Sequence, residues 1–470
     1  MRLGDVADGL TRGAESLQDT ISQAFFEPVI RLGVTGLSRA GKTVFITSLV
    51  ANLLNRGRMP GLRAAADGAI STAFLQPQPD DMVPRFAYED HLAALTGPAP
   101  HWPESTRSVS ELRLSLRVQP GGLLAGLSGP RTVHLDIVDY PGEWLLDLGL
   151  LDQGFADWSR ATLARLANRP EAAAYLALAE GAPALDSWSE PDAQALARAF
   201  TDYLQAARKA GYSDLAPGRF LLPGDLDGSP ALTFAPLPPG PSRRGSLPRE
   251  MARRYDAYRR NVVKPFFRDH FSRLDRQIVL VDVLGAIHSG PRAVEDLRQA
   301  LADILSAFRP GRNAFLAQLF LGRRIDRILF AATKADHLHH AQHDQLAAIM
   351  GALVEDARAR ADFAGARTGA MAIAALRATT EDSLRHDGRD LNVVRGVLRA
   401  SGKRAALHPG ALPDDPARLL APARQGAGAW LDGEFSIMDF APQEARLKPG
   451  EGPPHIRLDR AAEFLIGDRL

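Results

Sequence analysis

Two periods of apolar residues run through this chain and divide it into stretches of different character. Residues 112–118 (LRLSLRV) and 132–139 (TVHLDIVD) alternate apolar with polar positions, as half-buried strands do. A Pro-Gly-Gly turn after Gln119 predicts that the two pair antiparallel. Residues 278–284 (IVLVDVL) form an apolar run expected of a parallel strand buried on both faces. Helical spacing follows in AVEDLRQALADILSAF, strand character in IDRILFAATKAD, helix in DQLAAIMGALVEDARAR and strand in GAMAIAALRATT. Such alternation predicts an α/β fold with a doubly wound, mostly parallel sheet and one antiparallel hairpin.

Residues 155–275 read differently. Ala- and Leu-rich helical patterns (SRATLARLA, EAAAYLALAE, DAQALARAFTDYLQAARKAG) are broken by a Pro/Gly-rich loop over 221–248 and closed by EMARRYDAYRRNVVKPFFRDHFSRLDRQ. The expected organisation follows from these contrasts. Residues 1–28 hold a helix with Val6, Leu10, Leu17, Ile21 and Phe25 on its apolar face, packed on the main domain. Residues 29–150 are the first part of that domain, 151–275 a mostly helical insertion, and 276–380 the second part. Residues 381–470 are an extension whose last helix sets Leu458, Ala462 and Leu465 against the main domain. Stretches 58–108 and 380–455 are rich in Gly, Pro and short polar runs and give little periodic signal.

Chemistry enters at residues 36–43 (GLSRAGKT), which fit the phosphate-loop pattern G-x-x-x-x-G-K-T. The apolar segment VIRLGVTG precedes it and an apolar helical pattern with Val44, Leu49 and Leu53 follows, so strand, loop and helix come in the required order. In such a loop the backbone around Gly36, Ser38, Arg39, Ala40, Gly41, Lys42, Thr43 and Val44 cradles phosphate at the positive end of a helix. Lys42 is expected to reach the β- and γ-phosphates, and the Thr43 hydroxyl to ligate Mg²⁺. Asp139-Tyr140-Pro141-Gly142 ends an apolar strand, where the Asp139 carboxylate can hold a Mg²⁺ water and the Gly142 N–H can touch the γ-phosphate. A switch threonine completing the Mg²⁺ shell is sought in HWPESTR; Thr106 is preferred to Ser105, which makes the switch region unusually long.

Two further elements concern the base. Thr333-Lys334-Ala335-Asp336 follows a buried strand and resembles the guanine-reading element of Ras-like GTPases. A carboxylate at Asp336 would accept hydrogen bonds from the guanine N1–H and exocyclic amine, which adenine does not offer in that arrangement. The Lys334 stem would lie along the base. Ala375 and Leu376 stand where a second base-contacting loop is expected, with the Ala375 N–H reaching guanine O6. Hydrolysis raises a question at Glu143, which follows Gly142 where Ras-like enzymes orient water with a glutamine. A carboxylate there repels the γ-phosphate. Arg39, inside the phosphate loop, is the expected finger stabilising charge in the transition state.

Composition narrows the setting. The 470 residues carry a formal charge of +1, which speaks against a dedicated nucleic-acid binder. With 0 cysteines there is neither a disulfide framework nor a thiolate metal site. No apolar run is long enough to span a membrane and the first residues lack a signal-peptide core, so the expected location is cytoplasmic. His337, His339, His340 and His343 are expected on an exposed loop rather than around a metal.

With GLSRAGKT, WPEST, VDYPGEW, TKAD and AALRATTED in that order, the chain resembles the YcjX-like family of bacterial P-loop proteins. The resemblance covers nearly the whole length, including RYDAYRRNVVKPFF and the FLIGDRL end. It implies a Ras-like GTPase domain, binding of GTP and GDP, and a stress-associated role. The phosphate loop is also similar to that of guanylate-binding proteins, in which an arginine at the place of Arg39 acts in cis. The expected activity is Mg²⁺-dependent hydrolysis of GTP to GDP that switches the helical domain and, through it, a protein effector. The alternative is an ATP-binding or chaperone-like interaction protein whose nucleotide is mainly structural.

Overall fold

The computed structural model describes residues 27–37, 39–104, 108–119, 129–182, 189–240, 243–269, 273–306, 325–355, 358–359, 365–386, 388–430, 435–444 and 447–470. The expected N-terminal helix, Ser38, Ser105 and Thr106 lie outside the described residues. A seven-stranded sheet organises the rest, built from β1 (Val29–Gly36), β2 (Ile70–Gln76), β3 (Ser110–Val118), β4 (Arg131–Asp139), β5 (Arg276–Val281), β6 (Arg327–Ala332) and β7 (Arg367–Ala372). Their spatial order is β2-β3-β4-β1-β5-β6-β7. The pairs from β4 to β7 are parallel, and β3 alone runs against the others. The expected hairpin is therefore β3–β4, and this is the doubly wound α/β arrangement of a Ras-like P-loop fold.

The parallel strands are apolar on both faces because both faces are covered. Ile278 and Leu280 of β5 join one core and Val279 and Val281 the other. On the first side lie Phe45, Ile46 and Leu49 of helix α1 (Lys42–Leu54) and Leu458, Ala462 and Leu465 of the C-terminal helix Leu458–Ile466. The second side carries helices of the segment between β4 and β5: α2 (Phe155–Leu166), α3 (Ala173–Gly181), α4 (Glu190–Lys209) and α5 (Leu247–Tyr258). Trp158 stacks on Tyr255 at 4.8 Å, and Phe234 meets both edge-on. Such aromatic pairs contribute about 1 kcal/mol each beyond their buried area. Its core is continuous with the sheet face, so these helices and the strands share buried side chains.

Three elements differ from the sequence reading. The strand expected over 278–284 ends at Val281, because Asp282 caps the next helix, accepting from the Gly285 N–H at 3.0 Å. β2 appears inside the weak stretch 58–108 as the outer strand, with much of its surface exposed. The stretch after residue 380 forms a separate antiparallel sheet of β8 (Thr380–His386), β9 (Arg389–Val397) and β10 (Arg404–Leu407), with a small core of Val394, Leu407 and Phe440.

Candidate functional site

Parallel pairing brings the carboxyl ends of four strands to one edge. Gly36 of β1 is level with Leu280 of β5, Val34 with Asp139 at the end of β4, and Val281 with Ala332 at the end of β6. Ligands of open α/β sheets bind at that edge. β1 runs into the loop 37–41, and Gly41, at φ +78°, precedes the first turn of α1. That left-handed turn aims the helix's N-terminus at the loop, and glycine adopts it without strain. Arg39 is exposed and also left-handed, at φ +63°. Ala40 is buried and Val44 half-buried. The Lys42 ammonium caps the strand end, donating to the Gly36 carbonyl at 3.3 Å, and Thr43 is buried beside the loop.

Asp139 is fully buried at the end of β4. The turn after it lies against the loop: a Cβ on Gly142 would come within 2.1 Å of the Gly36 carbonyl oxygen. Only glycine permits that approach. Loop and turn thus form one backbone surface, with the buried Thr43 and Asp139 beside it. A hydroxyl and a carboxylate are hard oxygen donors of the kind Mg²⁺ takes. The donor set fits that ion.

The 3₁₀ segment after the turn (Gly142–Asp152) is held by the helices between β4 and β5. Glu143 is 3% exposed and pairs with Arg208 of α4 at 3.1 Å. Trp144 donates to the Leu222 carbonyl at 3.0 Å, and the Arg219 guanidinium lies 3.2 Å over its ring. Asp147 accepts from the Gly218 N–H at 2.7 Å and from the Tyr258 hydroxyl at 2.5 Å. Burial pushes the Asp147 carboxyl up to about 6, against the lowering effect of those donors and of Arg219. These partners come from distant parts of the sequence. Periodicity carried no sign of them.

At the other end of the edge, Thr333 continues β6, its N–H donating to the Val281 carbonyl at 2.9 Å. Lys334 is left-handed, at φ +61°, and pairs with Asp282. A left-handed non-glycine residue costs on the order of 1 kcal/mol, and such strain gathers at functional positions. Asp336 is buried, its carboxylate accepting from the Ala378 N–H at 2.9 Å and its carbonyl from the Thr379 hydroxyl. The loop after β7 is braced in turn by the C-terminal segment: Ala374 and Ile456 exchange backbone hydrogen bonds at 3.0 and 2.8 Å. Within that loop Ala375 is half-buried and Leu376 buried.

The histidines are less exposed than their sequence suggested. His337 and His343 are buried, the first edge-on to Phe440 and the second donating to the Ala335 carbonyl at 2.8 Å. Among the described residues, His339, His340 and Glu381 form one group of potential metal ligands. Glu381 is already shared between His340 and Arg377, which satisfies its charge.

Comparison with known proteins bears on the whole chain. Residues 30–470 match the model of the YcjX-like family, DUF463. A protein of Escherichia coli (strain K12) named Ras-like GTPase YcjX is 40% identical over 457 residues, covering 94% of this chain and 96% of that protein. One of the same name from Shewanella oneidensis is 36% identical over 468 residues, covering 94% of each. The chain belongs to the YcjX-like family.

Proposed function

We propose that this protein binds GTP along the strand-end edge and hydrolyses it to GDP with Mg²⁺. The observation that supports this best is the pairing of opposite ends on one edge: the Gly36–Gly142 backbone surface beside Lys42, and the buried Asp336 carboxylate beyond β6. A phosphate chain at the first end and a guanine at the second satisfy both. The relatives' name, Ras-like GTPase, points the same way.

In this reading the N–H groups of 38–44 surround the phosphates and Lys42 exchanges the Gly36 carbonyl for phosphate oxygens. Thr43, Asp139 and Thr106 hold Mg²⁺, which neutralises charge on the phosphates when bound. The Gly142 N–H meets the γ-phosphate, Glu143 faces the attacking water, and Arg39 folds over the phosphates. Lys334, Asp336, Ala375 and Leu376 enclose the guanine. Loss of the γ-phosphate releases Gly142, and the contacts from Glu143, Trp144 and Asp147 to Arg208, Arg219 and Tyr258 carry that change into the helices. A protein effector bound to those helices would read it, in the cytoplasm and in the stress setting that the family resemblance implies.

The base supplies the test. Competition between labelled GTP and unlabelled ATP or xanthosine triphosphate should give strong preference for GTP in the wild type. Asp336→Asn should weaken GTP by roughly 100-fold and admit the xanthine nucleotide, since the donor–acceptor match is then reversed. Equal affinity of wild type for ATP and GTP would sink the guanine assignment.

A further inference from the structure

Arg208 stands near the end of α4, a helix whose sequence explains its reach. Ser189 caps its start, accepting from the Asp192 N–H at 3.3 Å, and acids fill the first turn. Arg208 and Lys209 fill the last turn, where the helix dipole favours cations. The rigid helix delivers the Arg208 guanidinium to Glu143 at 3.1 Å, with the two side chains 27% and 5% exposed. Glu143 itself cannot drift. Its carbonyl lies where a Cβ on Gly218 would come within 2.0 Å, and the preceding Gly142 is packed on Gly36.

The carboxylate has one oxygen engaged and one in reserve. Oε1 meets Arg208, while Oε2 is buried and takes no hydrogen bond among the described residues. A buried acceptor left unfilled is costly, so a ligand hydrogen at that point is favourable. The sequence raised an objection to Glu143, that a bare carboxylate repels the γ-phosphate. Arg208, reaching Oε1 from the last turn of α4, answers it by offsetting that charge.

We propose that Arg208 is a positioning residue for GTP hydrolysis, supplied in cis by the helical segment. It neutralises and orients Glu143 so that Oε2 accepts a hydrogen bond from the attacking water. The inference rests on the GTPase reading above. In the step it serves, the water oxygen bonds to the γ-phosphorus. The bond from that phosphorus to the bridging oxygen breaks, its electron pair leaving on GDP. The water's proton passes through phosphate oxygens to solvent, so GTP and water give GDP, phosphate and a proton.

The experiment is single-turnover phosphate release from pre-bound GTP and Mg²⁺ by the full chain, with GTP affinity and thermal unfolding measured alongside. Arg208→Met keeps the packed stem and removes the charge. It should slow release by roughly 100-fold, what misplacing a positioned catalytic group costs, with GTP affinity within about twofold of wild type. Arg208→Lys should recover most of the rate. Glu143→Gln should itself be slow, and adding Arg208→Met to it should cost little more, because the two act as one unit. Wild-type release by Arg208→Met would overturn the proposal, as would an equal further loss in the Glu143→Gln background. A wild-type protein that binds GTP but releases no phosphate would remove the hydrolysis reading together with it.

Discussion

At the end of the strand edge proposed to hold phosphate, Gly142 lies against Gly36, and the residues after it are fastened by side chains of the helices: Arg208 on Glu143, Arg219 on Trp144, Tyr258 on Asp147. The end proposed to hold the base is fastened largely by hydrogen bonds that involve the main chain. The Ala335 N–H donates to the Ile373 carbonyl at 3.0 Å, the Ala378 N–H to the Asp336 carboxylate, and the loop after β7 is laced to the segment ending at Ile456. Charged and aromatic side-chain contacts of the first kind break and re-form when a neighbour gains or loses charge. Backbone ladders of the second kind hold a fixed shape. In the proposed reading, the helices are joined to the end where the γ-phosphate would come and go, and the C-terminal segment to the end that would stay the same.

The largest effect tests whether the phosphate end is the seat of affinity. Lys42→Ala removes the cation at the strand end and should weaken triphosphate binding by roughly 1,000-fold, with an unchanged circular dichroism spectrum. Normal affinity in a folded Lys42→Ala protein would abolish the distinction between the two ends.

A smaller effect separates the side-chain fastening from the rest. Asp147 is fully buried and its carboxyl titrates near 6 in the folded chain against an ordinary 3.8. Because the folded state holds the proton more tightly, Asp147 contributes most to stability below the ordinary value. That contribution is lost as pH rises from about 4 to about 6, by roughly 3 kcal/mol in all. Asp147→Asn should remove this part of the pH dependence, so that the variant gains on wild type across that range. Denaturant unfolding at several pH values measures it. Parallel curves for the two proteins would mean that Asp147 is not buried as the contacts with Tyr258 and Gly218 require.

The same contrast explains what could be read from the chain. β1 and α1 were legible because their signal is local: an apolar strand, two glycines, a lysine and an apolar helical pattern occur in one run of residues. Thr333–Asp336 was legible for the same reason, following a buried strand. β2 was not, since an outer strand with an exposed face needs few apolar residues and shows little alternation. β8, with the sequence TEDSLRH, is mostly in solvent and gave no apolar pattern to find. The fastening of Glu143 joins groups far apart in sequence, and no spacing rule reports a pair of that kind. Its one local trace was the anomaly of a carboxylate next to Gly142.

The smallest effect belongs to the base end and tests its rigidity. His343 opens the helix His343–Leu353 that follows the Thr333–Asp336 turn, and its Nε2–H donates to the Ala335 carbonyl at 2.8 Å, with the Leu338 carbonyl at 3.3 Å. Two carbonyl partners fix the tautomer, since both accept. Burial holds its pKa below the ordinary 6.5, against the raising effect of the two carbonyls and of Glu381, with Arg457 lowering it further. The neutral ring is thus the folded form, and the stability it contributes is whole above 6.5 and declines as pH falls below that value. His343→Leu leaves the Ala335 carbonyl without its donor, a loss of about 1 kcal/mol, which is near fivefold in GTP affinity at pH 7.5. Phosphate release from bound GTP should not change, because nothing in this contact reaches Gly142. A variant with wild-type affinity would show that the loop keeps its shape without the histidine. One that slows hydrolysis would show that the two ends are not separately fastened.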